Sequence, residues 1–250
     1  RRAALDIADL EAQITPSAES KDDNRRLSQS LDEIIARRID FLRAYQGPLY
    51  ARRYRHFINR VKLTEEAKAP GQTALTEAAA RNLFKLMAYK DEYEVARLYT
   101  DGTFKKQIAS TFEGDKMRFE FHLAPPLLAK KDKDTGELKK QSYGPWILTA
   151  FRVLKHFKVL RGTPLDPFGY GAERRTERKL IRDYEATLEE VMNRLELDNH
   201  AIAVGIAAIP EKIRGFGHVK ARHLVAAKAA EAALLDQLRS GVASLLKAAE

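Results

Sequence analysis

The chain has 250 residues and a mass of 28.3 kDa, 44% hydrophobic and 32% charged. That is enough apolar content to offset the entropy of ordering a core, which excludes wholesale disorder. Its longest apolar stretch, Ala201–Ile209, is interrupted by Gly205 and is far short of the ~20 residues a membrane-spanning helix needs. There is no Cys, which excludes disulfides, thiolate-held zinc or iron–sulfur clusters and a thiol nucleophile, and fits a reducing, cytoplasmic setting.

The formal net charge is +9, a surplus that suits nucleic acid, anionic ligands or acidic protein surfaces. Residues Ala3 to Ile14 carry a weak helical pattern (Leu5, Ile7, Leu10, Ile14), and Thr15–Arg26 offers almost nothing to bury. Residues 1–26 therefore read as a linker or tail of a preceding domain, and 27–250 as a mainly helical domain. Ser30 and Glu33 form a capping box, followed by a stripe of Ile34, Ile35, Ile39, Leu42 and Tyr45 at helical spacing. Gly47-Pro48 ends that helix and opens a second, reaching Lys68 before Pro70-Gly71. A third helix, capped by Thr73 or Thr76, is expected to run through Leu83 and Met87 toward Tyr99, and Phe104–Phe112 to form a short fourth.

Then the period changes. Met117, Phe119, Phe121 and Leu123 alternate with Arg118, Glu120 and His122, the pattern of a half-buried strand, and a second strand around Leu138–Tyr143 would close a hairpin. Gly144-Pro145 opens an apolar helix from Trp146 to Leu160. Gly162–Gly171 is a Pro/Gly loop, Ala172–Leu195 a long charged helix, and Asp198 or Asn199 caps another ending at Gly215. A last helix starts near His218. The fold class expected is mainly α with a small β-hairpin (α+β).

Three stretches could carry function. Tyr50–Lys62 holds five Lys or Arg and no acid; it reads either as a phosphate-contacting helix or as an aromatic core stripe (Tyr50, Tyr54, Phe57, Val61) with a solvated basic face. The second reading is preferred, because no base-reading motif accompanies the charge. Lys90–Arg97 carries Asp91, Glu92 and Glu94 within four residues, at spacings that favour ion pairs with Lys90 and Arg97 over acid–base chemistry. The third stretch is the candidate anion-binding site. Gly215 and Gly217 would bring backbone amides close to a ligand at the start of a helix, with Arg214, His218, Lys220 and Arg222 as added donors; the competing reading is an ordinary helix C-cap at Gly215, since the third Gly and the preceding strand of a dinucleotide fingerprint are missing. No catalytic residue and no metal ligand set is assigned, since the six His lie at spacings unsuited to a metal helix.

Several stretches together resemble the C-terminal extension of the fused indolepyruvate ferredoxin oxidoreductases, which are thiamine-dependent 2-oxoacid oxidoreductases. They are Phe84–Tyr99, Phe121-His-Leu-Ala-Pro-Pro126, Asp166-Pro-Phe-Gly-Tyr170 and Ile213–Lys220, in order across roughly Leu31 to Leu238. The opening Arg-Arg-Ala-Ala also resembles the tail of that family's preceding domain. The resemblance implies an accessory domain of an enzyme that decarboxylates aryl 2-oxo acids to acyl-coenzyme A with thiamine diphosphate, Mg²⁺ and iron–sulfur clusters. It implies as partners the other domains of the parent polypeptide, with ferredoxin and coenzyme A as candidates; the apolar stretches exclude a membrane span, and the lack of a base-reading motif makes nucleic acid the minor reading. The cluster-ligating Cys runs and the Gly-Asp-Gly…Asn stretch of that family are missing here, so its cofactors belong to other domains and the isolated chain is expected to be inactive. The alternative is a non-catalytic helical module binding nucleic acid or protein through Tyr50–Lys62.

Overall fold

In the computed structural model, residues 30–102, 104, 106, 111, 120–123, 141–215 and 217–248 are described. The chain is mostly helical, with one two-stranded antiparallel sheet among the described residues. Its helices are α1 (Leu31–Tyr45), α2 (Pro48–Lys68), α3 (Ala74–Met87), α4 (Glu92–Leu98), α5 (Ile147–Leu154), α6 (Ala172–Arg194), α7 (His200–Ala207) and α8 (Gly217–Ala248). The strands are β1 (Phe121–Leu123) and β2 (Gln141–Tyr143). Two compact units result. Lys90–Arg174 form an inserted unit; Arg26–Tyr89 and Arg175–Glu250, from either side of it in the chain, form a helical unit.

In the helical unit, α1 starts at the capping box read from sequence: Glu33 N–H donates to Ser30 Oγ, and Ser30 N–H donates to the Glu33 carboxylate at 3.0 Å. α1, α2 and α3 pack on one another, and α7 packs on both α3 and α8. The core holds Leu42, Tyr45, Tyr54, Ile58, Leu83, Met87, Leu188, Ile206 and Leu238. Buried tyrosines satisfy their hydroxyls on backbone carbonyls: Tyr45 donates to Tyr89 O, Tyr54 to Ala80 O and Tyr184 to Ala207 O. Burial accordingly pushes the Tyr54 and Tyr184 phenols above the ordinary tyrosine value.

The N-terminus of α3 is not capped as expected. Thr73 holds the N-cap position without a side-chain bond. Instead Glu65, buried on α2, accepts from Leu75 N–H and Thr76 N–H, both at 2.8 Å, and from Thr76 Oγ1. A carboxylate at this end complements both the unpaired amides and the helix dipole. His200 Nε2 on α7 lies 2.7 Å from the same carboxylate.

The third helix also ends earlier than the sequence pattern suggests. α3 stops at Met87, and Asp91 caps a separate α4 by accepting from Glu94 N–H at 2.9 Å. The helix expected to end at Gly215 finishes at Ala207 and passes through a 3₁₀ turn, Ile209–Lys212, because Pro210 has no N–H to continue the ladder. The helix expected over Trp146–Leu160 is α5 followed by a 3₁₀ stretch, Lys155–Leu160.

In the inserted unit, β1 and β2 pair with Phe121 opposite Tyr143 and His122 opposite Ser142. Phe121 is buried and His122 exposed, as the alternation requires. The remaining residues of both expected strands, most of the Phe104–Phe112 segment and the 1–26 linker lie outside the described residues. A compact aromatic cluster centres on Tyr99, whose ring lies 4.9 Å from Phe104, 5.3 Å from Phe121 and 5.8 Å from Phe151.

Candidate functional site

The sequence singles out the turn between Ile213 and Arg222. Gly215 has φ +84° and Gly217 φ +54°, and α8 begins at Gly217. A Cβ on Gly215 would lie 2.9 Å from Val219 Cγ1, so glycine is required there both by the backbone angle and by the close approach of the following turn. The turn therefore delivers the backbone to the start of a 32-residue helix, as expected.

The side chains are engaged locally. Arg214 Nε donates to Glu211 O at 3.0 Å, and His223 Nδ1 lies 2.9 Å from Arg214 O. Lys220 Nζ pairs with the buried Glu177 carboxylate of α6 at 2.5 Å. Arg222 is exposed. The His218 side chain and Phe216 lie outside the described residues. Of the candidate donors, Arg222 and Arg214 are exposed, while Lys220 and Arg214 also fasten the turn to its surroundings.

Close by, Leu86, Tyr184, Ile213 and Ala227 line a cavity of about 10 Å³, room for about one water molecule. Among the described residues no three His, Asp or Glu side chains are grouped to hold a metal ion, and no helix is long and apolar enough to cross a membrane.

The basic helix α2 has a different use for its charge. Tyr54, Phe57 and Val61 are buried, and Tyr50 donates its hydroxyl to Met87 O at 2.9 Å. Arg53 pairs with Glu185 and Arg60 with Glu189, so two turns of α2 are zipped to α6, and Lys62 reaches Asp32 on α1. Arg52 and Arg55 are exposed.

The acidic run of α4 is where the sequence hid most. Glu94 pairs with Arg97 at 2.7 Å, as its spacing predicts. Asp91 meets Arg161 through two hydrogen bonds, Arg161 Nη2 to Asp91 Oδ1 at 2.8 Å and Nε to Oδ2, with both side chains only 2–3% exposed. The Arg161 guanidinium also lies 5.6 Å from the centre of the Tyr93 ring. Tyr93 donates its hydroxyl to Asp166 Oδ1 at 3.1 Å, and burial together with that carboxylate pushes the phenol above the ordinary tyrosine value.

Asp166 in turn accepts from Gly162 N–H at 2.8 Å and Phe168 N–H at 3.1 Å. A Cβ on Gly169 would come within 2.7 Å of Asp166 Oδ2, so the Asp-Pro-Phe-Gly loop closes around its own buried carboxylate. Glu92 is held by Arg174 at 3.2 Å. Arg161, Asp166 and Arg174 are thus partners that residue spacing could not reveal. Pro and Gly density around Asp166 was the nearest signal, and it marked the rigid turn alone.

With this geometry in hand, the chain can be placed: it belongs to the family of unknown function DUF6537, whose family model matches residues 31–233. No curated protein and no solved structure matches it.

Proposed function

We propose that this chain is the C-terminal accessory domain of a cytoplasmic indolepyruvate (aryl 2-oxo acid) ferredoxin oxidoreductase, supporting an oxidative decarboxylation that other domains carry out. What supports this reading is the ordered resemblance of four stretches between Phe84 and Lys220. The observation that favours an accessory role is the use these stretches make of their charges. Asp91, Glu94, Arg97 and Asp166 are engaged with one another's neighbours in a buried lock and a closed loop, which is architectural work.

The residues present do not fit the parent's cofactors. Without Cys the chain has no thiolates for a cluster, and without a Gly-Asp-Gly…Asn stretch it lacks that family's Mg²⁺-diphosphate motif, so these cofactors would be held elsewhere. Within this reading, the Gly215–Arg222 turn offers amides and Arg222 to an anion such as coenzyme A, or to an acidic ferredoxin.

The experiment is ferredoxin-linked indolepyruvate oxidation by the native polypeptide that carries this chain. The proposal expects an immunoblot band well above 28.3 kDa and activity in the same fractions. A band at the mass of the chain alone, without such activity in any complex it forms, would sink it. In the active enzyme, Arg214→Ala and Arg222→Ala should raise KM for coenzyme A or ferredoxin with kcat unchanged; constants that do not move would remove the anion contact and leave the architectural role.

A further inference from the structure

α2 and α6 run side by side in the same direction: Arg53 meets Glu185, Arg60 meets Glu189 and Lys68 reaches the Met192 carbonyl. Along this seam the carboxylates are used up. Each acid of α6 from Glu177 to Glu190 has a cation within 3.2 Å. On α2, Glu65 is buried and hydrogen-bonded, and Glu66 alone is exposed, near the C-terminal end. The arginines are not used up. Arg52, Arg55, Arg175 and Arg182 are exposed, and among the described residues no ion pair or hydrogen bond engages them.

Helical spacing sets these four on the outer side of the seam. Arg182 lies one turn before Glu185 on the same side of α6, and Arg175 two turns before Arg182. Arg52 and Arg55 are one turn apart on α2, opposite the buried Ile58 and Val61. Arg52 shares its ridge with Leu49 and Leu63, which are 73% and 66% exposed. The two leucines bracket it, about 21 Å apart along the helix.

Unpaired guanidiniums with no unpaired carboxylate between them select an anion, and their planar fork matches a carboxylate in two-pronged geometry. Leucines exposed among the arginines select a protein, because a phosphate backbone offers nothing apolar to cover them. Base stacking has no platform on this ridge, since Tyr54 and Phe57 are buried and the Tyr50 hydroxyl is turned to the Met87 carbonyl. A second copy of the same face would repel. We propose that the outer face of α2 and α6, set by Arg52, Arg55, Arg175 and Arg182 with Leu49 and Leu63, docks an acidic protein surface that carries carboxylates around apolar side chains. The inference is independent of the oxidoreductase reading and uses different residues from the Gly215–Arg222 turn.

The probe is a fluorescently labelled peptide, mostly Glu with Leu at every seventh position, titrated with the full chain and read by anisotropy. Binding is expected at low salt and should weaken as salt rises. Arg52→Glu/Arg182→Glu should lower the affinity by about ten-fold or more. Lys106→Glu/Arg152→Glu, an equal change of net charge at exposed sites elsewhere, should leave it within about two-fold. Leu49→Ser/Leu63→Ser should weaken the Leu-bearing peptide and spare an all-Glu one. All the substituted sites are exposed, and circular dichroism checks that each variant keeps its helices. No binding at low salt, or equal losses in the two charge-reversed proteins, would overturn the proposal. So would tighter binding of an oligouridylate or of phosphatidylserine vesicles than of the peptide, which would assign the face to nucleic acid or to lipid.

Discussion

The two units solve the same problem by different means. The helical unit closes over a large apolar core and sets many of its charges at the surface, as inter-helix pairs such as Arg53–Glu185 and Arg60–Glu189. Among the described residues, the inserted unit buries a smaller, aromatic cluster and adds a desolvated ion pair, Asp91–Arg161, with the Tyr93–Asp166 bond beside it. A short stretch of α4 cannot bury enough apolar area to fix its own orientation, and directional charge-assisted bonds fix it instead. Apolar area tolerates approximate shapes, whereas a buried ion pair is stabilising only when both partners are present.

That contrast can be broken most sharply at Arg161. Arg161→Ala leaves the Asp91 carboxylate buried and unpaired, and should destabilise the inserted unit by about 3–5 kcal/mol. Amide hydrogen exchange should then quicken in α4 and α5 while α2 and α7 keep their protection. If exchange rises equally in both units, the lock is not local. The double change Asp91→Leu/Arg161→Met should recover most of the loss, because it removes the charge with its counterion.

In the helical unit the corresponding large effect comes from volume. Leu188→Ala, at a fully buried position, should cost about 2–5 kcal/mol, read as a lower denaturation midpoint. No partner substitution at a charged site should restore it.

The helical unit also borrows the other strategy, at the buried Glu177–Lys220 pair and most fully at Glu65. Burial alone pushes its carboxyl up, but the bonds from His200, the Thr76 hydroxyl and the Thr76 and Leu75 amides outweigh this and hold it below the ordinary glutamate value. A carboxyl depressed on folding contributes stability above the unfolded value of about 4.3, and that contribution is lost as pH falls through the lower folded value. Glu65→Gln should cost about 1–3 kcal/mol near neutrality and flatten the acid limb of the stability profile. An unchanged acid limb would show that this carboxylate does not govern it.

The smallest effect belongs to the surface zipper. Arg53→Ala, in a pair with the Arg side chain 44% exposed, should change stability by no more than about 1 kcal/mol and less in high salt. A thermal melt at two ionic strengths measures it.

How far the sequence carried can be judged residue by residue. α1 and α2 were legible because Ser30–Glu33 and Gly47-Pro48 act on their nearest neighbours, and the hairpin because alternation at Phe121 and His122 is a local period. The break between α3 and α4 was missed because Asp91, Glu92 and Glu94 look like any solvated acidic run. Their counterions Arg161 and Arg174 are some 70 and 80 residues away. The cap of α3 was misassigned to a neighbouring Thr for the same reason, since Glu65 reaches it from another helix. At the candidate site, the glycine turn was visible in the letters; that Lys220 would be held by Glu177 was not. Propensity and capping act over a turn, while charge pairing is chosen by the finished fold.

The helical unit is made of two lengths of chain with the whole inserted unit between them. On a ribosome the inserted unit is complete as soon as its last residue emerges. α1, α2 and α3 must wait, their apolar faces uncovered, until α6, α7 and α8 have been made. At about 5–20 residues per second that interval is on the order of ten seconds. During synthesis the apolar stripe around Leu42, Tyr54 and Leu83 is therefore the part of this protein most in need of a chaperone's cover.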